Sequence, residues 1–210
     1  MIIGVCGLIG SGKDTIADYL VNVHGFRRDS FASSLKDAVS AVFGWDREML
    51  EGRTRSSREW RERPDTWWSQ RLGQTITPRY ILQQWGTEVC RRGFHDDIWI
   101  ASLENKLRCS QDHVVISDCR FPNEITAIRR AGGIVIRVMR GTDPDWFRAA
   151  QQHFCAGAAL LEEMPHSSEW AWAGTKFDAL LDNNHSLDDL YHQVSDLLQD
   201  HHDATADLDV

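Results

Sequence analysis

The chain has 210 residues, 42% of them hydrophobic, a composition that supports one domain with a sizeable core. No apolar run approaches the roughly 18 residues of a membrane helix, and the first such run is too short for a signal peptide, so we expect neither. Five cysteines without CxxC spacing argue against a disulfide framework or a zinc site and favour a reducing cytoplasm.

The net charge of −8 is unevenly distributed. Residues 177–210 contain nine Asp and no Lys, Arg or Glu, whereas the preceding 176 residues sum to +1. Residues 46–92 contain ten Arg interleaved with tryptophans, which suits nucleotides because guanidinium groups bind phosphate and indoles stack on bases. The alternative for these arginines is a solvated, salt-bridged surface around a few packed tryptophans.

A glycine-rich segment follows the first predicted strand, residues 2–6. It reads Gly7-Leu8-Ile9-Gly10-Ser11-Gly12-Lys13, which matches the G-x-x-x-x-G-K pattern, and a helical pattern follows it. Glycines let successive backbone N–H groups turn toward phosphate oxygens, and the lysine adds a positive charge beside them. The pattern therefore predicts a site for a nucleoside triphosphate, built from Gly7, Gly10, Ser11, Gly12, Lys13, Asp14 and Thr15.

The residue after the lysine departs from the usual pattern. Ser or Thr is expected there as part of the Mg²⁺ shell, but the chain has Asp14, followed by Thr15. A carboxylate is a strong magnesium ligand, so we expect Asp14 to bind the ion directly or through water, with Thr15 facing a phosphate oxygen. The alternative is that Asp14 only stabilises the start of the helix through its dipole.

Strands and helices alternate along the rest of the chain. The predicted strands are 2–6, 28–31, 113–117, 134–139 and 179–181; the predicted helices are 14–23, 33–43, 78–92, 96–107, 123–131, 143–161 and a last helix capped by Ser186. This order predicts an α/β fold whose parallel sheet is covered on both faces and binds ligands at the carboxyl ends of its strands.

We expect one domain over 1–200. Its core would comprise 1–44, 75–141 and 176–200, with an excursion at 45–74, a lid at 142–175 and a frayed acidic tail at 201–210.

A charged segment follows the predicted strand 113–117. Asp118 and Arg120 would lie beside the glycine-rich loop if their strand neighbours the first strand. Asp118 would then be an acidic residue that binds Mg²⁺ directly or through water, and Arg120 would bind the transferring phosphate. The alternative is that the two residues only form a salt bridge within the loop. Arg140 follows the next predicted strand, and the lid after it would keep water from the reacting groups.

Motifs spread over nearly the whole chain resemble those of the deoxynucleoside monophosphate kinases of bacteriophages. They are Gly12-Lys13-Asp14-Thr15, Thr77-Pro78-Arg79 with Leu82-Gln83-Gln84-Trp85-Gly86-Thr87-Glu88 and Arg91, Asp97-x-Trp99, Ser117-Asp118-x-Arg120-Phe121-Pro122-Asn123-Glu124, and His166-x-Ser168-Glu169.

The resemblance implies Mg²⁺-dependent transfer of the γ-phosphate of ATP to a deoxynucleoside 5′-monophosphate. It implies a three-layer α/β/α P-loop kinase fold with a five-stranded parallel sheet, a monophosphate-binding excursion and a lid. The residues that it suggests are Lys13, Asp118 and Arg120 for catalysis, Asp14 and Asp118 for the metal, Arg140 with the glycine-rich loop for ATP, Lys36, Arg79, Gln83, Trp85 and Arg91 for the acceptor, and His166, Ser168 and Glu169 in the lid. No nucleic-acid or membrane partner is expected. A homodimer, and the host cytoplasm for a phage-encoded chain, follow only from the resemblance.

Three alternatives remain. A P-loop kinase could act on a modified base within DNA, although the acidity of the chain weakens this reading because strand binding depends on a positive field. A kinase of similar architecture could act on a small metabolite. A nucleotide-dependent switch could hydrolyse ATP slowly without an acceptor, although no residue is obviously placed to orient a water.

Overall fold

A computed structural model describes residues 1–165 and 167–206 of the chain. Two compact units are present. The first consists of Met1–Ser30 and the chain from Leu107 onward, and the second consists of Phe31–Lys106. The predicted excursion at 45–74 lies within the second unit, and the predicted lid at 142–175 lies within the first.

Five parallel strands form the sheet of the first unit. They are β1 (Ile2–Cys6), β2 (Arg27–Asp29), β3 (Val114–Ile116), β4 (Ile134–Met139) and β5 (Ala179–Asp182). Their order across the sheet is β2-β3-β1-β4-β5, and every neighbouring pair is parallel. The predicted parallel sheet is therefore confirmed, and so is the condition that β1 and β3 are neighbours.

Ten α-helices are described over the two units. They are α1 (Lys13–His24), α2 (Ser33–Phe43), α3 (Arg47–Glu51), α4 (Arg55–Glu62), α5 (Thr66–Leu72), α6 (Pro78–Gln83), α7 (Ile98–Arg108), α8 (Pro122–Arg130), α9 (Asp145–Ala156) and α10 (Leu187–Ala206). A π-helical segment, Gln84–Arg92, follows α6, and a 3₁₀ turn spans Ser167–Glu169. None of the described helices is both long enough and apolar enough to cross a membrane.

Alternation along β1 separates the two faces of the sheet. Ile3 and Val5 are fully buried in a cluster with residues of α1 and α10. Gly4 points to the opposite face, where a Cβ atom on it would lie 2.6 Å from Cδ1 of Ile128 on α8. A larger residue at this position would push α8 away from the sheet. Helices thus cover both faces, which confirms the three-layer α/β/α arrangement.

The second unit has its own aromatic core, made of Leu35, Val39, Phe43, Trp45, Leu50, Ile76, Ile81 and Trp99. The segment 45–74, which shows weak helical periodicity in the sequence, contains the three short helices α3, α4 and α5. Side chains of Asp46, Thr54 and Asp65 accept hydrogen bonds from the first turns of these helices. Capping therefore defines helices that are too short to show a clear apolar stripe.

Three helices differ from the sequence-based expectation. The predicted helix 78–92 is α-helical only over α6 and then widens into the π-helical segment. The predicted helix 143–161 is shorter, since α9 ends at Ala156. The last helix is longer than expected, because α10 continues to Ala206 into the segment expected to fray, and residues 207–210 lie outside the described part of the chain.

Candidate active site

The glycine-rich loop connects β1 to α1, and Lys13 is the first residue of that helix. Lys13 Nζ donates hydrogen bonds to the backbone oxygens of Gly7 and Leu8, each at 2.8 Å. Burial lowers the pKa of the Lys13 ammonium, and the nearby Arg120 guanidinium lowers it further. The two carbonyl oxygens keep the ammonium next to the loop, whose successive backbone N–H groups can donate hydrogen bonds to a phosphate.

Asn183, which directly follows β5, holds the other side of the loop. Its Nδ2 donates to the backbone oxygen of Ser11 at 2.7 Å. Gly12 has a φ of 109°, and a Cβ atom on it would lie 2.4 Å from the same Nδ2, so only glycine allows this contact. Sequence reasoning missed Asn183; the available signal was its place as a polar residue at the carboxyl end of a parallel strand.

A cavity of about 350 Å³ opens beside the loop. This volume is within the range of about 300–1,000 Å³ typical of small-molecule sites. Its lining includes the predicted ATP residues Gly10, Gly12, Lys13, Asp14, Thr15 and Arg140, joined by Asn183, His185 and Leu187. The last three residues come from the end of β5 and the start of α10, a region to which the sequence analysis assigned no role.

A narrower crevice of about 10 Å³ brings Lys13 together with Asp118 and Arg120. The pairing of β1 with β3 explains this proximity, since Gly4 aligns with Ile116 and both strands end at the same edge. Gly7, Ile9, Cys119, Glu169 and Trp172 complete the lining. The predicted position of Asp118 and Arg120 beside the glycine-rich loop is therefore confirmed, while their chemical roles stay a prediction.

Buried Glu124 holds the loop that carries Arg120. Its carboxylate oxygen Oε2 accepts hydrogen bonds from the backbone N–H groups of Arg120 at 2.8 Å and Phe121 at 3.1 Å. The Arg120 guanidinium donates from Nη1 to Glu169 Oε1 at 3.1 Å. Arg120 is thus tied at its backbone to α8 and at its side chain to the predicted lid.

Asp14, the unusual residue after the lysine, is held by Arg28 of β2. One guanidinium nitrogen, Nη2, donates to Asp14 Oδ1 and to Ser117 Oγ, the latter at 2.8 Å. The other, Nη1, donates to Asp18 Oδ1 at 2.9 Å. Sequence reasoning missed Arg28 because no motif includes it. Only the folded sheet brings β2, and with it Arg28, next to Asp14.

The donor groups near the loop fit a magnesium ion that is held mainly by phosphates and water. Within the described ranges, no cluster of three or more His, Cys, Asp or Glu side chains could hold a metal. Mg²⁺ in phosphoryl-transfer sites needs only one or two carboxylates together with substrate oxygens. Asp14 and Thr15 line the cavity, and Asp118 lines the adjoining crevice.

The predicted lid is anchored to the sheet near both of its ends. Buried Arg137 of β4 forms an ion pair with Asp143. Its guanidinium carbon lies 4.6 Å from the ring centroid of Phe147 and 5.5 Å from that of Trp172. His166 lies outside the described residues, as does the side chain of Ser168.

The acceptor residues implied by the resemblance all lie in the second unit. Lys36 Nζ is 2.7 Å from Glu51 Oε2, and Arg79 Nε is 2.8 Å from Glu62 Oε1. Trp85 packs edge-on against Phe43, with ring centroids 5.8 Å apart. The remaining two, Gln83 and Arg91, lie at the end of α6 and in the π-helical segment.

Arg61 of α4 is a further cation of this unit that the sequence analysis did not single out. Burial, Arg79 and Arg58 lower the pKa of its guanidinium, and Glu62 and Glu51 offset this effect only in part. Its Nε is buried without a hydrogen-bond partner, and no ion pair joins it to a carboxylate among the residues that the structure describes. A half-buried cation with cationic neighbours is suited to an anion, because a bound anion would offset the cost of burying it.

Similar solved structures include two that match almost the whole chain. TT1252 from Thermus thermophilus is 19% identical, with a TM-score of 0.48 and coverage of 95% of this chain and 97% of that one. Shikimate kinase from Aquifex aeolicus is 12% identical, with a TM-score of 0.46 and coverage of 98% and 99%.

Sequence comparisons identify viral relatives, although no protein-family model matches the chain. Deoxynucleoside-5′-monophosphate kinase of Escherichia phage T5 is 26% identical over 179 residues, covering 61% of this chain and 72% of that protein. A protein of Acanthamoeba polyphaga mimivirus, provisionally named a deoxynucleotide monophosphate kinase, is 32% identical over 211 residues, covering 92% of this chain and 94% of that protein. By this similarity along almost its whole length, the chain belongs to the deoxynucleotide monophosphate kinase family.

Proposed function

We propose that this protein transfers the γ-phosphate of ATP to a deoxynucleoside 5′-monophosphate and releases the diphosphate. The observation that carries the proposal is the meeting of Lys13, Asp118 and Arg120 at the carboxyl ends of β1 and β3, beside the glycine-rich loop. Membership of the kinase family supports the same reaction.

We assign the triphosphate of ATP to the cavity beside the glycine-rich loop. Backbone N–H groups between Gly7 and Thr15 would bind its oxygens, and the Lys13 ammonium would lie near the β and γ phosphates. Arg140, which lines the cavity at the end of β4, adds a second cation. Asn183 keeps the loop in shape through its hydrogen bond to Ser11.

Mg²⁺, when bound, would supply positive charge that offsets the phosphate charge during transfer. The candidate protein contacts are the carboxylates of Asp14 and Asp118, together with the Thr15 hydroxyl. These groups suit the ion because magnesium prefers oxygen ligands and commonly keeps several waters. The contribution of Asp14 depends on its ion pair with Arg28, which engages Oδ1.

The reaction needs no protein nucleophile, because an acceptor phosphate oxygen is already anionic at neutral pH. The work of the protein is then to align donor and acceptor and to neutralise the charge of the transition state. Lys13 and Arg120 are the cations placed for this role. Glu169 would orient the Arg120 guanidinium through its 3.1 Å contact, and the surrounding lid would reduce the access of water.

The acceptor monophosphate is assigned to the second unit, on Lys36, Arg79, Gln83, Trp85 and Arg91. Arg61 supports this assignment, since its guanidinium is partly buried near Arg79 and Arg58 and forms no ion pair with a carboxylate among the described residues. A phosphate dianion would supply such a partner.

An assay of ADP formation tests the proposal. ATP and Mg²⁺ are incubated with each deoxynucleoside monophosphate in turn, including pyrimidines modified at C5, and the diphosphate product is identified. We expect at least one monophosphate to stimulate ADP formation strongly.

Two other outcomes would contradict the proposed reaction. Equal phosphorylation of a nucleotide when free and when within an oligonucleotide would identify a kinase acting on DNA. Turnover that no monophosphate changes would favour a nucleotide-dependent switch or a kinase for another small molecule.

A further inference from the structure

The start of α1 carries two carboxylates, one of which, that of Asp14, lines the proposed triphosphate site. Asp14 follows Lys13 directly, and Asp18 lies one turn later on the same helix; their side chains are 80% and 63% exposed. A carboxylate this close to several phosphate charges opposes nucleotide binding unless a cation compensates for it. Lys13 by itself cannot compensate for both acids.

Arg28 compensates both carboxylates from β2. Its side chain is only 18% exposed, so the guanidinium is the most buried member of the group. Arg28 aligns with Val115 in the sheet, and Val115 belongs to the cluster that packs against α1. The backbone register therefore points the arginine toward the helix whose first turn carries Asp14.

The same guanidinium also contacts the strand that carries Asp118. Nη2 donates to Ser117 Oγ at 2.8 Å as well as to Asp14, and Ser117 directly precedes Asp118 in the chain. A planar guanidinium can hold three oxygens in fixed directions, whereas an ammonium holds them far less rigidly. One side chain thus links the beginning of α1 to the end of β3.

We propose that Arg28 is a positioning residue of the nucleotide site. It neutralises Asp14 so that the polyphosphate can bind beside this carboxylate, and it sets the position of the glycine-rich loop relative to Asp118. The inference rests on the proposed function, since it assumes that the loop binds ATP. An exposed ion pair without such a role would contribute little to stability or to binding.

Nucleotide affinity measured without metal tests the charge compensation. ATP and ADP binding would be followed by calorimetry in EDTA for the wild type, Arg28→Gln, Asp14→Asn and the double variant. We expect Arg28→Gln to weaken ATP binding about tenfold, because it leaves a carboxylate uncompensated beside the phosphates. Asp14→Asn in the same chain should restore the affinity to within about threefold of the wild type.

Two further variants separate charge from geometry. Arg28→Lys keeps the charge, so it should bind ATP nearly as well as the wild type, but its kcat should fall because an ammonium cannot hold Asp14, Asp18 and Ser117 in the same directions. Arg27→Gln is the matched control, since this neighbour pairs with Asp29 and Asp112 and not with the loop. It should leave ATP affinity unchanged.

Two results would overturn the proposal. The first is an Arg28→Gln variant with the ATP affinity of the Arg27→Gln control. The second is weakened binding that Asp14→Asn does not repair, which would leave Arg28 with a purely structural role; circular dichroism and the Tm of nucleotide-free protein would show that loss of structure. Failure of the wild type to bind ATP when Mg²⁺ is supplied would instead refute the proposed function.

Discussion

Arg120 and Glu169 form an ion pair at the crevice that also contains Lys13, with 3.1 Å between Nη1 and Oε1. Forty-nine residues separate them in the chain. Because Glu169 belongs to the predicted lid, the pair connects the position of that segment to the direction in which a proposed catalytic cation points.

Replacing Arg120 should impair the chemical step more than nucleotide binding. For Arg120→Met we expect kcat to fall by roughly 100- to 1,000-fold, since a cation aimed at the transferring phosphoryl group acts mainly in the transition state. Glu169→Gln removes only the orienting partner and should cost about tenfold in kcat. Steady-state kinetics and ATP titration measure both effects. Arg130→Met, on the exposed face of α8, is the control, and an unchanged kcat in Arg120→Met would remove this residue from the reaction.

Lys13→Met should abolish turnover with every acceptor without unfolding the protein. The ammonium is needed to offset the phosphate charge. Burial lowers its pKa, so at neutral pH the buried protonated form opposes folding. This opposition disappears only as the pH rises toward the unfolded pKa of Lys. The free energy of unfolding at pH 7 should therefore fall by no more than about 1 kcal/mol, the scale of the lost carbonyl hydrogen bonds, or should rise. Denaturant unfolding without nucleotide measures it, and a large loss would contradict the explanation.

Arg79→Ala should act on the acceptor. We expect the acceptor KM to rise about tenfold, with kcat and the KM for ATP little changed, because a contact present in both ground and transition states contributes to binding alone. The matched control is Arg55→Ala, an exposed α4 arginine that pairs with Glu59. If both variants have wild-type acceptor kinetics, Arg79 is not in the acceptor site.

Glu51→Gln should reveal a pH-dependent contribution to the stability of the second unit. Burial alone would raise the pKa of the Glu51 carboxyl, but hydrogen bonds from Lys36 and Arg47 outweigh it and lower the pKa to about 2. The stabilisation is therefore present above the unfolded pKa, about 4.5, and is lost as the pH falls toward 2.

At pH 7 the free energy of unfolding of the Glu51→Gln variant should be about 2 kcal/mol lower than that of the wild type. The difference should shrink between pH 4.5 and 2, as urea unfolding across this range would show. Glu59→Gln, which removes an exposed pair, should change the stability little at any pH. A difference that stays constant with pH would contradict the ionic origin.

Asn183→Ala should loosen the glycine-rich loop. The variant loses the hydrogen bond from Nδ2 to Ser11 O, and we expect a loss of about 1–2 kcal/mol in stability and about tenfold weaker ATP binding. Calorimetry and thermal unfolding would measure the two effects, with His192→Ala on the exposed surface of α10 as the control. Unaltered ATP affinity would show that the loop keeps its shape without Asn183.

Local signals in the sequence predicted the fold well. The spacing of glycines and the flanking apolar run indicated the phosphate loop, and the alternation of strands and helices indicated a parallel sheet covered on both faces. Both predictions depend on neighbours along the chain, where periodicity and turn chemistry act directly. Less regular segments were harder to predict: α3, α4 and α5 depend on capping, and the wider turn of the π-helical Gln84–Arg92 left no signal in the helical pattern predicted for 78–92.

By itself, the sequence determined the glycine-rich loop, the motifs that indicate the family and the alternation of strands and helices, because each of these patterns consists of residues close together along the chain. Only the tertiary structure decided the partners of that loop. Arg28 reaches Asp14 from β2, Asn183 reaches Ser11 across 172 positions, and Glu169 reaches Arg120. These contacts depend on strand order and on the register of parallel strands, which bring distant side chains to one edge of the sheet without leaving a local pattern.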